Sequence, residues 1–130
     1  MYTPLLETEL RRKRLTQHFS YEEMTQTDER EDNTPDVYAF HNLLYLCRIL
    51  ESVRFRFGKP IIITSAFRSP VVNLNAGGSK NSYHMDGRAC DISIKHLHPS
   101  DVDKLKEILN LYHPLELIHY TTKPIIHVAF

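Results

Sequence analysis

Three residues in the second half of the chain carry chemistry that their surroundings do not favour. Asp91 sits inside the run Ala89-Cys90-Asp91-Ile92-Ser93-Ile94, and His127 inside Ile125-Ile126-His127-Val128-Ala129-Phe130. His84 closes a Gly-rich stretch just ahead of the first run. A carboxylate in an apolar strand is costly unless it is paired, hydrogen-bonded or bound to a metal. Two imidazoles and one carboxylate are a suitable zinc ligand set, and three protein ligands leave a fourth tetrahedral position open for water. Zinc in such a site lowers the pKa of that water to about 7 and polarises a carbonyl. At this level other outcomes stay open: a strand histidine is often a satisfied core residue, and Asp91 could equally pair with Arg68 or Arg88.

The composition frames what those residues can belong to. The chain has 130 residues, 42% hydrophobic and 25% charged, which suits one globular domain. Lys+Arg and Asp+Glu are both 16, so the formal charge is zero, which argues against duplex nucleic acid or an anionic membrane surface as partner. The two cysteines, Cys47 and Cys90, cannot build a disulfide framework. No apolar run reaches the length of a membrane span. Histidine is the unusual residue: eight, against four glycines.

The elements that must position the three residues follow from pattern. Residues 1–14 read as a charged N-terminal arm with no secretory signal, and residues 15–130 as a single domain. Ser20 with Glu23 is a capping box for a short helix from Tyr21. Thr34-Pro35 is expected to open a long helix whose apolar stripe runs through Val37, Phe40, Leu43, Leu44, Cys47, Leu50, Val53 and Phe57, ending at Gly58. Ile61 to Ser65 is a buried strand, followed by a short helix after Pro70 and the Gly-rich loop Ala76 to Ser82. Strands are expected over Arg88–Lys95, Leu115–Tyr120 and Ile125–Phe130, the last two as a hairpin, with a helix starting at Ser100 and stopped by His113-Pro114. The fold class is therefore α+β, with the strand order left open. His18, His41, His96, His98 and His113 are read as ordinary packing or solvated residues, with His41 partly buried.

Three stretches carry a resemblance: Ile63-Thr64-Ser65-Ala66-Phe67-Arg68-Ser69-Pro70-Val71-Val72-Asn73, then Gly77 to Ile92 with Ser82-Tyr83-His84 and Asp91, then Ile126-His127-Val128. Over roughly residues 15–130 the chain resembles the M15 family of zinc peptidases, which includes D-Ala-D-Ala carboxypeptidases and phage-type peptidoglycan endopeptidases, and most of all their short single-domain branch. The resemblance implies a hedgehog/DD-peptidase-like fold, a small antiparallel sheet packed by helices. It implies that His84, Asp91 and His127 bind zinc, that Arg68 stabilises charge on the scissile carbonyl or the substrate carboxylate, and that Ser82 lines the same pocket. Gly77 and Gly78 would let backbone approach a ligand, and Gly87 would supply the positive φ that turns the chain from His84 to Asp91.

One departure bears on activity. Members of the family place a carboxylate ahead of the last histidine to act as general base. Three residues ahead stands Pro124, and about seven ahead, where the short branch is expected to have Glu, stands Tyr120. Glu116 is the first candidate to replace it and would reach the site if the strand register allows; Asp86 is the second. His119 would serve only if the strand faced the opposite way. Tyr120, a poor base at neutral pH, is a plausible hydrogen-bond donor to an oxyanion.

The implied function is a zinc metallopeptidase that hydrolyses D-amino-acid-containing bonds in peptidoglycan stem or cross-bridge peptides, with no nucleic-acid partner, read as a monomer. It would be made in the cytoplasm and act on the cell wall after release or as a phage component. The alternative is a zinc-containing, weakly active or inactive module of the same fold that binds wall peptides or a protein partner. A plain structural domain without metal is the third reading.

Overall fold

The computed structural model describes residues 13–130, so nearly all of the expected N-terminal arm lies outside the described residues. The chain enters through an antiparallel bridge between Arg14 and Ser20. Ser20 then caps helix α1 (Tyr21–Met24), its Oγ accepting from the Glu23 N–H at 3.1 Å.

Helix α2 (Val37–Phe57) starts two residues later than Pro35. Its N-cap is Asp36, whose Oδ1 accepts from Ala39 N at 2.8 Å. Thr34, expected to cap it, instead donates its hydroxyl to Asp32 Oδ1 at 2.6 Å within the preceding loop. The buried stripe is Ala39, Leu43, Leu46, Cys47, Leu50, Val53 and Phe57. Val37, expected on that stripe, is 74% exposed at the helix mouth, and His41, expected to be partly buried, is exposed. Gly58 closes the helix in the left-handed conformation, φ 76°.

The remaining elements are β1 (Ile63–Ser65), α3 (Pro70–Asn75), a 3-10 turn (Tyr83–Asp86), β2 (Ala89–Ser93), α4 (Pro99–Asn110), β3 (Glu116–His119) and β4 (Ile125–Ala129). Helix α4 is capped by His98, whose ring accepts from the Ser100 N–H, two residues earlier than the Ser100 start that the sequence suggests.

The strands form one antiparallel sheet in the order β1-β2-β4-β3. The expected hairpin is β3–β4, and β2 inserts on its other side by pairing with β4. This α+β sheet packed by helices is the architecture that the resemblance implies. Cys90, Ile92, Ile126 and Val128 point to one face and join the α2 stripe and Leu105 and Leu109 of α4 in a single core. Burying that apolar face is what holds the sheet flat against the helices. Cys47 and Cys90 lie within this core, and burial pushes the Cys47 thiol up to about 12, as befits small core hydrophobes. No described helix is long and apolar enough to cross a membrane.

The opposite face is organised in rows, because residues directly opposite in antiparallel strands project to the same side. Ser65, Asp91, His127 and Ile118 form one row. Ala89, Ala129 and Glu116 form the next.

A buried histidine and carboxylate cluster as candidate metal centre

Asp91 and His127 are direct partners on the two central strands. The third member arrives from the 3-10 turn. Ser82 Oγ caps this turn by accepting from His84 N at 3.1 Å. Gly87 ends it at φ 72°, and a Cβ there would stand 2.3 Å from the Ala39 carbonyl oxygen, so both the conformation and the close fit against α2 require glycine. The positive φ expected of Gly87 is therefore present. Gly78 serves something other than a ligand: a Cβ on it would stand 2.0 Å from Asn73 Oδ1, so this glycine lets the loop lie on α3.

His84 Nδ1 lies 2.6 Å from the Ala66 carbonyl oxygen. A carbonyl can only accept, so Nδ1 carries the proton and donates, leaving Nε2 as the ring's lone-pair donor. Nε2 is 3.3 Å from Asp91 Oδ1, and His127 Nδ1 is 3.0 Å from the same oxygen. One ligand atom from each of His84, Asp91 and His127 falls within 4.8 Å of the others. All three are buried, at 3%, 8% and 6% exposure. The donor set and its closeness fit a tetrahedral cation with three protein ligands.

Arg68 closes the other side of Asp91. Its Nη2 donates to Asp91 Oδ2 at 3.2 Å and its Nε to Ser65 Oγ at 3.1 Å, while its backbone N–H donates to the His84 carbonyl at 3.1 Å. Of the two cations considered for Asp91, Arg68 is the partner. Arg88 instead donates Nε to the Phe130 carbonyl at 2.9 Å and lies over the Tyr83 ring.

The electrostatics follow from this packing. Burial opposes ionisation of Asp91, but hydrogen bonds from His127 and His84 outweigh it and hold the carboxyl well below the ordinary carboxylate range. Burial likewise opposes a charge on His127, yet hydrogen bonds to Asp91 and Glu116 raise its proton affinity above that of a free imidazole.

The register brings Glu116 to the cluster: its Oε1 is 2.8 Å from His127 Nε2. The other candidate bases do not reach it. The Asp86 backbone carbonyl accepts from Asn42 Nδ2 at 2.9 Å, and no hydrogen bond or ion pair joins its carboxylate to the cluster. His119 faces the other way, with Nδ1 3.4 Å from Lys106 Nζ. Tyr120 falls in the row beyond Ile118, its N–H donating to the Ile125 carbonyl at 3.2 Å and its ring under Lys123 Nζ. Two supports escaped the sequence reading. Ser65 reads in the sequence as an ordinary strand serine, and the Ala66 carbonyl is a backbone group with no side-chain signal.

Comparison with known proteins gives two findings. A family model described as Peptidase M15 matches residues 17–129. The zinc D-Ala-D-Ala carboxypeptidase of Streptomyces albus G is 46% identical over 44 residues, which is 33% of this chain. The match spans 17% of that relative's length.

Proposed function

The chain belongs to the Peptidase M15 family, and from that premise we propose that it is a zinc-dependent peptidase acting on D-amino-acid-containing bonds of peptidoglycan peptides. The observation that carries this reading is the gathering of the His84, Asp91 and His127 donor atoms within 4.8 Å, on a buried face rimmed by Arg68 and Glu116. The matched relative is a zinc enzyme for D-Ala-D-Ala by name, which supports the metal and the substrate class.

His84 Nε2, an Asp91 oxygen and His127 Nδ1 would hold the zinc. When bound, it supplies Lewis acidity that activates water and polarises a carbonyl. Arg68, locked by Asp91 and Ser65, sets a fixed positive charge where an oxyanion or a substrate carboxylate would sit. Glu116, with one oxygen on His127 Nε2, is the carboxylate nearest the cluster, and its second oxygen would take a proton from water and return it to the leaving amine. Tyr120 lies one row further along the same face with its ring under Lys123 Nζ, and among the described residues no hydrogen bond joins its hydroxyl to the cluster, so the oxyanion is left to Arg68. Ser82 contributes by holding the turn that carries His84.

The Glu116 contact also favours a second reading. A carboxylate engaged with His127 orients a metal ligand, and if that is its whole role the chain is a zinc-containing module that binds wall peptides and cleaves them slowly or not at all. The test is elemental analysis of the purified protein together with a muropeptide digest read by mass. Release of D-Ala marks a carboxypeptidase, and cleavage between stems marks an endopeptidase. Full zinc without cleavage favours the binding module, and absence of bound zinc overturns both.

A further inference from the structure

Beyond the metal face the structure has a groove of about 370 Å³ at the end of the sheet, between α2 and the C-terminal end of α4. That volume lies in the range of small-ligand sites. One wall is a stripe of α2 at helical spacing that includes Tyr38, Asn42 and Tyr45; the other includes Tyr112, His113 and Arg88. Among the described residues Tyr38 and Tyr45 are 59% and 63% exposed, so both rings present open faces along one side of α2.

The walls are preformed. Tyr112 is fixed through its hydroxyl, which meets Ser52 Oγ and accepts from Arg56 Nε at 3.0 Å. Arg88 is fixed by the Phe130 carbonyl and the Tyr83 ring. Asn42 spends its Nδ2 on the Asp86 carbonyl, which leaves its Oδ1 as an acceptor. His113 holds φ 52°, and it alone among the described non-glycine residues has a positive φ. This left-handed residue turns the chain out of α4 and sets His113 on the groove wall.

We propose that this groove binds the glycan strand of the cell wall, an oligosaccharide of N-acetylated amino sugars. Rings that present flat apolar faces with hydroxyl, amide and guanidinium groups at their edges complement a sugar, whose C–H faces are apolar and whose rim is hydroxyl and acetamido. An apolar helix would leave those edge groups unpaired, and a polyanion would find one formal charge, Arg88. The groove opens at the end of the sheet beside Arg88, three residues ahead of Asp91, so a glycan lodged here would lead its attached stem around the sheet end towards the metal face.

The choice of sugar rests on the peptidoglycan reading, but the test does not. Titrate the full chain with the N-acetylglucosamine tetramer, which has no peptide bond to cleave, and follow amide shifts by NMR. Shifts at Tyr38, Asn42, Tyr45 and His113, weakened about tenfold by Tyr45→Ala at unchanged metal content, are expected. No shifts, shifts confined elsewhere, or a concentration-dependent dimer that Tyr45→Ala dissolves would each overturn the proposal. Saccharide binding without peptide cleavage would leave the groove standing and the hydrolase reading in doubt; cleavage without saccharide binding, the reverse.

Discussion

The Glu116 carboxylate and the His127 ring meet across the β3–β4 pair, Oε1 to Nε2 at 2.8 Å, on the nitrogen that faces away from Asp91. This places one carboxylate on each side of the same imidazole. Glu116→Gln keeps an oxygen for the ring and removes the capacity to take a proton. The variant should retain its metal and lose about 10²- to 10⁴-fold in kcat. Glu116→Ala should also weaken metal binding, by roughly 10- to 100-fold. If Glu116→Gln turns over at the wild-type rate, Glu116 is an orienting group only.

Removal of either histidine or of Asp91 should abolish stoichiometric metal binding. Chelation of the wild type should lower Tm, and added zinc should restore it in a concentration-dependent way, by about 4 kcal/mol when free metal is a thousandfold above Kd. A Tm that ignores chelator and zinc alike would mean that the cluster is a hydrogen-bonded core feature.

Metal affinity should fall as pH drops. The proton affinity of His127 is raised above the ordinary 6.5, so a proton competes with the cation at higher pH than at a free imidazole. Affinity should decline through neutrality by up to about tenfold per pH unit for each proton displaced. Isothermal titration calorimetry between pH 6 and 8 would measure it, and a flat profile would contradict the assignment of His127 as a ligand.

A second imidazole–carboxylate contact lies away from the metal face. His18 donates its backbone N–H to Glu51 Oε2 and its ring Nδ1 meets Oε1, both at 2.6 Å, tying the entry segment to α2. Burial opposes the charge on Glu51, but these bonds hold its pKa below 4.5. Stability from a lowered carboxylate is present above the unfolded pKa and lost as pH falls through the folded one. Acid unfolding of the wild type should therefore steepen below pH 4.5, and Glu51→Gln should flatten it while costing about 1 kcal/mol at neutral pH.

Gly87→Ala should be among the most damaging single-methyl changes. It imposes a strained φ and drives Cβ into the Ala39 carbonyl. A loss of about 2 kcal/mol or more is expected in denaturant unfolding, along with weaker metal binding as His84 shifts.

Much of the candidate site was readable from the chain because it breaks local rules. Asp91 and His127 are polar residues in apolar strands, and Gly87 sits where a turn must reverse. The pairing of Asp91 with His127 across β2 and β4 was not readable, since strand order depends on long-range contacts that period-two patterns do not encode. The reach of Glu116 depended on the same register. Helix α2 was expected at Pro35 because Thr-Pro is a good start, but Asp32 captured the Thr34 hydroxyl and Asp36 took over the cap. The role of His18 is not legible locally, because its partner Glu51 lies 33 residues away.

Asp91 and His127, on the two inner strands, are separated by 36 residues of chain that include α4 and the β3–β4 turn. A cation gripped by both would act as a rivet through the sheet's centre. It could not be captured until the last strand had docked, so loading would report completed folding. Once in place it would couple the opening of β2 to that of β4, and amide hydrogens along both strands would become slow to exchange together.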